Sequence, residues 1–210
     1  MEIEVSNLSK QIRGITILDR ITLHFESGNI YGIIGQNGSG KTMLLRAIAG
    51  LIIPSEGTIM VDGKILGKDI SFPQDIGILI ERPEFLGYLS GLENLKLLAE
   101  IKGMISDENI KKYMEWFDLD PLSKKSVRKY SLGMKQKLGI IQAIMENQQL
   151  LVLDEPFNAL DEKSVDKFRT LLLDYKDEGR LIILTSHHKE DISSLCDYTY
   201  RLEEGRILSE

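Results

Sequence analysis

The chain has a single cysteine, Cys196, among 210 residues. One thiol closes no internal disulfide and holds no metal cluster alone, so a packed core in a reducing compartment is expected. Long apolar runs are missing too: none approaches the ~18 residues that a membrane helix needs. Positive charge is short, with 26 Lys and Arg against 32 Asp and Glu, giving 26 − 32 = −6. That deficit argues against a nucleic-acid surface, and no nucleic-acid partner is expected. No repeat, linker or low-complexity stretch divides the chain, and MEIEVSNLSK carries acids where a leader would be basic and apolar. A cytoplasmic protein forming one domain over 1–210 is the expectation. With 42% hydrophobic and 28% charged residues, the composition is that of an ordinary folded chain.

Two patterns of hydropathy divide the sequence. Ile3 and Val5, then Ile15, Ile17, Ile21, Leu23 and Phe25, alternate with polar residues, which predicts a half-buried antiparallel sheet. NIYGIIG (29–35), IGILIE (76–81), QLLVLDEP (149–156) and RLIILTS (180–186) are short continuous apolar runs, the mark of strands buried on both faces. Apolar residues at spacings of three and four predict helices in 42–52, in three stretches between 83 and 146, and in EKSVDKFRTLLLDYKDEG. The expected fold is α/β: a mostly parallel core sheet, an N-terminal antiparallel β-subdomain, and a helical subdomain inserted at about 82–146.

Gly35-Gln36-Asn37-Gly38-Ser39-Gly40-Lys41-Thr42 fits G-x-x-x-x-G-K-[ST] between an apolar strand and an amphipathic helix. Glycines let successive N–H groups turn inward onto phosphate oxygens, and the helix adds its positive end. Lys41 is expected at the β- and γ-phosphates and the Thr42 hydroxyl at Mg²⁺. Gly35, Asn37, Gly38, Ser39, Gly40 and Met43 complete the expected nucleotide contacts. Leu150 to Leu153 then run into Asp154 and Glu155, two carboxylates at the carboxyl end of a buried strand. There Asp154 is suited to the Mg²⁺ shell and Glu155 to orienting or deprotonating a water.

Between and after these elements stand Tyr130-Ser131-Leu132-Gly133-Met134-Lys135-Gln136, Asn158-Ala159-Leu160-Asp161, and His187 at the end of LTSH. Their order and spacing resemble the ATP-binding subunit of ABC transporters over essentially the whole chain. The first stretch looks like a divergent signature, the second is similar to the D-loop, and His187 matches the switch histidine. The resemblance implies a P-loop ATPase of the ABC type, acting as a head-to-tail homodimer, or paired with a related subunit, with two ATPs between the copies. Ser131 and Gly133 would then face the partner's γ-phosphate from a helix N-terminus, with Asp161 nearby. His187 would hold the γ-phosphate, water and Glu155 in line.

Three positions depart from the family pattern. Ile12 stands where an aromatic usually stacks on adenine, and offers apolar contact only. Leu132 and Met134 replace smaller residues of the signature. Glu81, in IGILIERPEF, replaces the glutamine expected to reach Mg²⁺. IERP and YSLGMKQKLGI are similar to ATPases of bacterial bacitracin- and lantibiotic-type peptide exporters. A separate permease at the inner face of the cell membrane is the implied partner, docked at 82–125 through Phe85, Leu86, Tyr88 and Leu89. A soluble ABC ATPase acting on ribosomes or DNA is the alternative.

Overall fold

The computed structural model describes residues 1–186 and 189–208. Strands β1 (Glu2–Ile12) and β2 (Ile15–Glu26) pair antiparallel, with Ile3 opposite Phe25 and Val5 opposite Leu23. Arg13 and Gly14 join them with positive φ at both, the backbone of a tight hairpin whose twist suits the strands. The buried set does not follow the alternation throughout. Ile15 is 65% exposed, while Leu18 is fully buried beside Ile21, Leu23 and Phe25. Register shifts along β1 and left-handed residues at Asn7 and Arg20 explain this, because one extra residue in a strand inverts the faces beyond it. β4 (Glu56–Val61) and β5 (Lys64–Ile65) complete a four-stranded sheet in the order β2-β1-β4-β5.

The second sheet has the order β10-β9-β3-β8-β7-β6. Its strands are β3 (Ile30–Ile34), β6 (Ile76–Leu79), β7 (Leu150–Leu153), β8 (Leu181–Thr185), β9 (Tyr198–Glu203) and β10 (Arg206–Leu208). All neighbours are parallel except the terminal β9–β10 hairpin. Alternate residues of β3, β7 and β8 enter two separate cores. Ile30, Leu151, Leu153, Ile182 and Leu184 join one, while Tyr31, Ile33, Leu150, Val152, Leu181 and Ile183 join the other. Full burial of a Leu or Ile is worth roughly 1.5–3 kcal/mol, so polar substitution on either face of these strands would be severe. The continuous apolar runs follow from this double coverage.

Helix α1 (Lys41–Ile48) leaves β3 through the glycine-rich loop and stops short of the expected 52, because Gly50 takes a left-handed conformation there. Three α-helices lie between β6 and β7: α2 (Gly91–Lys102), α3 (Asp107–Trp116) and α4 (Leu132–Ile144), with a short 3₁₀ turn at Val127–Lys129 before α4. Ser90 and Glu93 form a capping box on α2, and Ser106 caps α3. Helices α5 (Glu162–Asp177) and α6 (Lys189–Leu195) follow β7 and β8. Among the described residues, no helix is long and apolar enough to cross a membrane.

Candidate nucleotide site

The loop 35–42 lies at the carboxyl end of β3, the central strand, where open parallel sheets hold their ligands. Lys41 is 7% exposed, and its Nζ donates to the carbonyls of Gly35 (2.7 Å) and Gln36 (3.1 Å) in its own loop. Ser39 is buried, and its Oγ has no hydrogen-bond partner among the described residues. A buried hydroxyl without a partner is costly unless a ligand supplies one, and a phosphate oxygen would accept from it. Asn37 and Gly38 are exposed at the loop tip, and Met43 packs against the core.

Thr42 and Asp154 are 112 residues apart, yet the Thr42 hydroxyl donates to Asp154 Oδ2 at 2.6 Å. The other carboxylate oxygen accepts from the Thr185 hydroxyl, also at 2.6 Å, and Thr185 Oγ1 accepts from the Glu155 N–H at 2.9 Å. One threonine at the end of β8 thus fixes both acidic residues. Thr185 was not singled out by sequence reasoning. Its signal was its place in LTSH, at the end of a strand neighbouring β7. Glu155 itself is left-handed (φ 49°), and Gln136 Nε2 donates to its carbonyl and to that of Pro156.

Glu81 follows the end of β6 with φ 61°, and its carboxylate pairs with Arg46 Nη2 of α1 at 2.7 Å. With Asp154, Glu155, Gln136 and Asn158 it lines a cavity of about 400 Å³. Arg46 is a partner that its position on an amphipathic helix did not announce. Ile12 is 40% exposed, opposite Ile15 at the hairpin tip. His187 lies outside the described residues.

The signature stretch has a different setting. Ser131 caps α4, its Oγ accepting from the Met134 N–H at 3.2 Å. Gly133 lies so close to the Ala159 carbonyl that a Cβ there would be 2.5 Å from the oxygen. Asp161 caps α5 through Ser164 and pairs with Lys137 of α4 at 2.8 Å. The Lys137 contact and the Ser164 hydrogen bonds hold the Asp161 carboxyl well below the usual carboxylate range. Ser131, Gly133, Lys137 and Asp161 line a cavity of about 650 Å³ that includes neither Asp154 nor Glu155. Apart from Ile12 at the hairpin tip, the sequence-predicted residues among those described form two neighbouring groups, the loop with the acidic strand end and the α4 N-terminus with the Asp161 cap, whose cavities share Leu132 and Ala159.

A glycine-rich strand-to-helix loop bonded to an acidic strand end is the arrangement of an α/β phosphate-binding P-loop protein. Residues 18–158 match the family model described as ABC transporter. The chain is 50% identical over 205 residues to an uncharacterized ABC transporter ATP-binding protein, YybJ, of Bacillus subtilis (strain 168), covering 98% of this chain and 94% of that one. It is 37% identical to the bacitracin transport ATP-binding protein BcrA of Enterococcus faecalis, over 99% of this chain and 68% of that protein. It is 32% identical to the lantibiotic transport ATP-binding protein SrtF of Streptococcus pyogenes, over 99% and 90%. A solved ATP-binding subunit of an ABC transporter superposes with a TM-score of 0.89 at 27% identity, covering 100% of this chain and 89% of that one. The dimeric, ADP- and Pi-bound cassette MJ0796 shares the fold, with a TM-score of 0.86 at 21% identity over 99% and 97%. The chain belongs to the ABC transporter family, as an ATP-binding subunit with the ATPase cassette.

Proposed function

We propose that the chain hydrolyses ATP with Mg²⁺ to drive a separate membrane permease that exports antimicrobial peptides or other drugs. The Thr42–Asp154 hydrogen bond carries the catalytic part, because it joins the phosphate loop to the acidic strand end. A hydroxyl and a carboxylate are the hard oxygen donors that Mg²⁺ takes, with Glu81 a third within the same cavity lining as Asp154. Bound Mg²⁺ would supply charge neutralisation at the β- and γ-phosphates. Lys41 would exchange its two loop carbonyls for phosphate oxygens, and the buried Ser39 hydroxyl would gain an acceptor. Glu155 would orient the attacking water and take its proton, with His187 holding the γ-phosphate. Ile12 would cover adenine by apolar contact.

Ser131 and Gly133 do not line the cavity that holds Asp154 and Glu155, although Leu132 and Ala159 border both, and the reading includes a head-to-tail pair in which each α4 N-terminus meets the partner's γ-phosphate. The second copy is this chain or a related ATPase subunit, and the dimeric state of the MJ0796 cassette, which shares the fold, supports the pairing. Residues 82–125 of the helical insertion are assigned to the permease. Leu86 (45% exposed) and Tyr88 (72% exposed) support that choice, while Phe85 and Leu89 are half-buried. Docking would hold the chain at the inner face of the cell membrane. The cargo class rests on the relatives BcrA and SrtF. Co-purification from detergent-solubilised membranes tests the reading: a polytopic permease that stimulates turnover supports it, and ribosomes or nucleic acid in its place overturn it.

A further inference from the structure

The backbone of Glu155 is an awkward one to hold. Its φ of 49° is left-handed, which a side chain bearing Cβ disfavours. Pro156 follows, and proline biases the residue before it toward extended backbone. Such a conformation persists only where the surroundings hold it, and it sets where the carboxylate points. Three neighbours do the holding. Thr185 Oγ1 accepts from the Glu155 N–H at 2.9 Å. The Asn158 N–H donates to the Glu155 carbonyl at 3.2 Å, closing the turn locally. The side-chain amide of Gln136 donates to the Glu155 carbonyl at 3.3 Å and to the Pro156 carbonyl at 3.0 Å.

Gln136 is the only one of the three on α4, five positions beyond the Ser131 cap, and it is 7% exposed. It does not act alone in joining α4 to the segment after β7. Gly133 packs on the Ala159 carbonyl one turn earlier, and Lys137 pairs with Asp161. Ala159 is also left-handed, at 61°. The segment 155–161 thus lies clamped along α4 at three successive points, and Gln136 is the point nearest the acidic pair. It has no need to touch nucleotide to affect turnover.

We propose that Gln136 is a positioning residue: by bonding two successive carbonyls it fixes the Glu155 turn, and it passes any shift of α4 to the Glu155 carboxylate. A movement felt at the α4 N-terminus would then alter the aim of Glu155 in the same copy. The inference rests on the reading of Glu155 as the group that orients the water. Misplacement of a reacting group by about 1 Å can lower a rate by about 100-fold, which sets the scale of the expected effect.

Gln136→Leu keeps the approximate volume and removes both hydrogen bonds, and Gln136→Glu keeps the length while turning a donor into an acceptor facing two carbonyls. Each full-length variant is compared with wild type for MgATP affinity, kcat and thermal stability. The proposal expects affinity within about twofold of wild type and kcat lower by about 10- to 100-fold. It also expects the Gln136 change to add no further loss of kcat in a Glu155→Gln background, because both act through one group. A kcat within about twofold of wild type in a folded variant overturns the proposal. So does a loss shared equally by affinity and kcat, or a loss that multiplies with Glu155→Gln. Full activity of Glu155→Gln alone would instead refute the reading of Glu155.

Discussion

Arg46→Ala tests the proposed competition between Arg46 and Mg²⁺ for Glu81. In the structure the carboxylate lies 2.7 Å from the Arg46 guanidinium, with the two side chains 35% and 57% exposed. A pair that open to water is worth about 0.2–1 kcal/mol. If Glu81 must leave Arg46 to reach Mg²⁺, that free energy weakens its hold on the metal by about 1.4- to 5-fold. Removing Arg46 should therefore lower the Mg²⁺ concentration that half-saturates ATP binding by the same factor. Glu81→Gln should raise it, because a neutral amide oxygen attracts the cation less than a carboxylate. The assay is a Mg²⁺ titration of ATP binding for the wild type and both variants at low salt, repeated near 1 M salt. There the Debye length is about 3 Å, and the Arg46 effect should shrink. An unchanged half-saturation point in both variants would remove Glu81 from the metal site. A shift in Glu81→Gln alone would show that Arg46 does not compete for it.

Two further changes test the α4 clamp. Gly133→Ala places a Cβ 2.5 Å from the Ala159 carbonyl oxygen, so one backbone must move. Overpacking of that kind costs about 1–3 kcal/mol, and calorimetry should show a lower Tm. Asp161 has a folded pKa held below its ordinary 3.8, so its contribution is present above that value and is lost as pH falls toward the depressed one. Asp161→Asn should therefore lower stability at neutral pH, and flatten its decline below about pH 4, as read by acid titration of Tm.

Much of the site was legible because its chemistry is local in sequence. The glycine spacing of 35–42 and the apolar run ending in Asp154 each name their role without the fold, and the order of the parallel sheet then brings Thr42 to Asp154. Ser131 and Asp161 were readable both as helix caps and as family positions, and in the structure they are caps. What was hidden depends on tertiary register. Thr185 reads as one more β-branched strand residue until β8 is laid beside β7, and the Gln136 amide has no sequence mark of the carbonyls it meets. Arg46 has the look of a solvated helix residue. The phase of β1 and β2 was misread at Ile15 because bulges at non-glycine residues leave the alternation looking continuous.

In the proposed function ATP joins two copies head to tail, each completing the other's site. Sedimentation of Glu155→Gln with MgATP reads this out, since the substitution should slow hydrolysis far below the wild-type rate and leave both phosphate-binding faces intact. The expected result is a shift from the 23.8 kDa monomer to a stable dimer that disperses when Mg²⁺ or ATP is withdrawn. A variant that binds ATP to saturation and stays monomeric would contradict it.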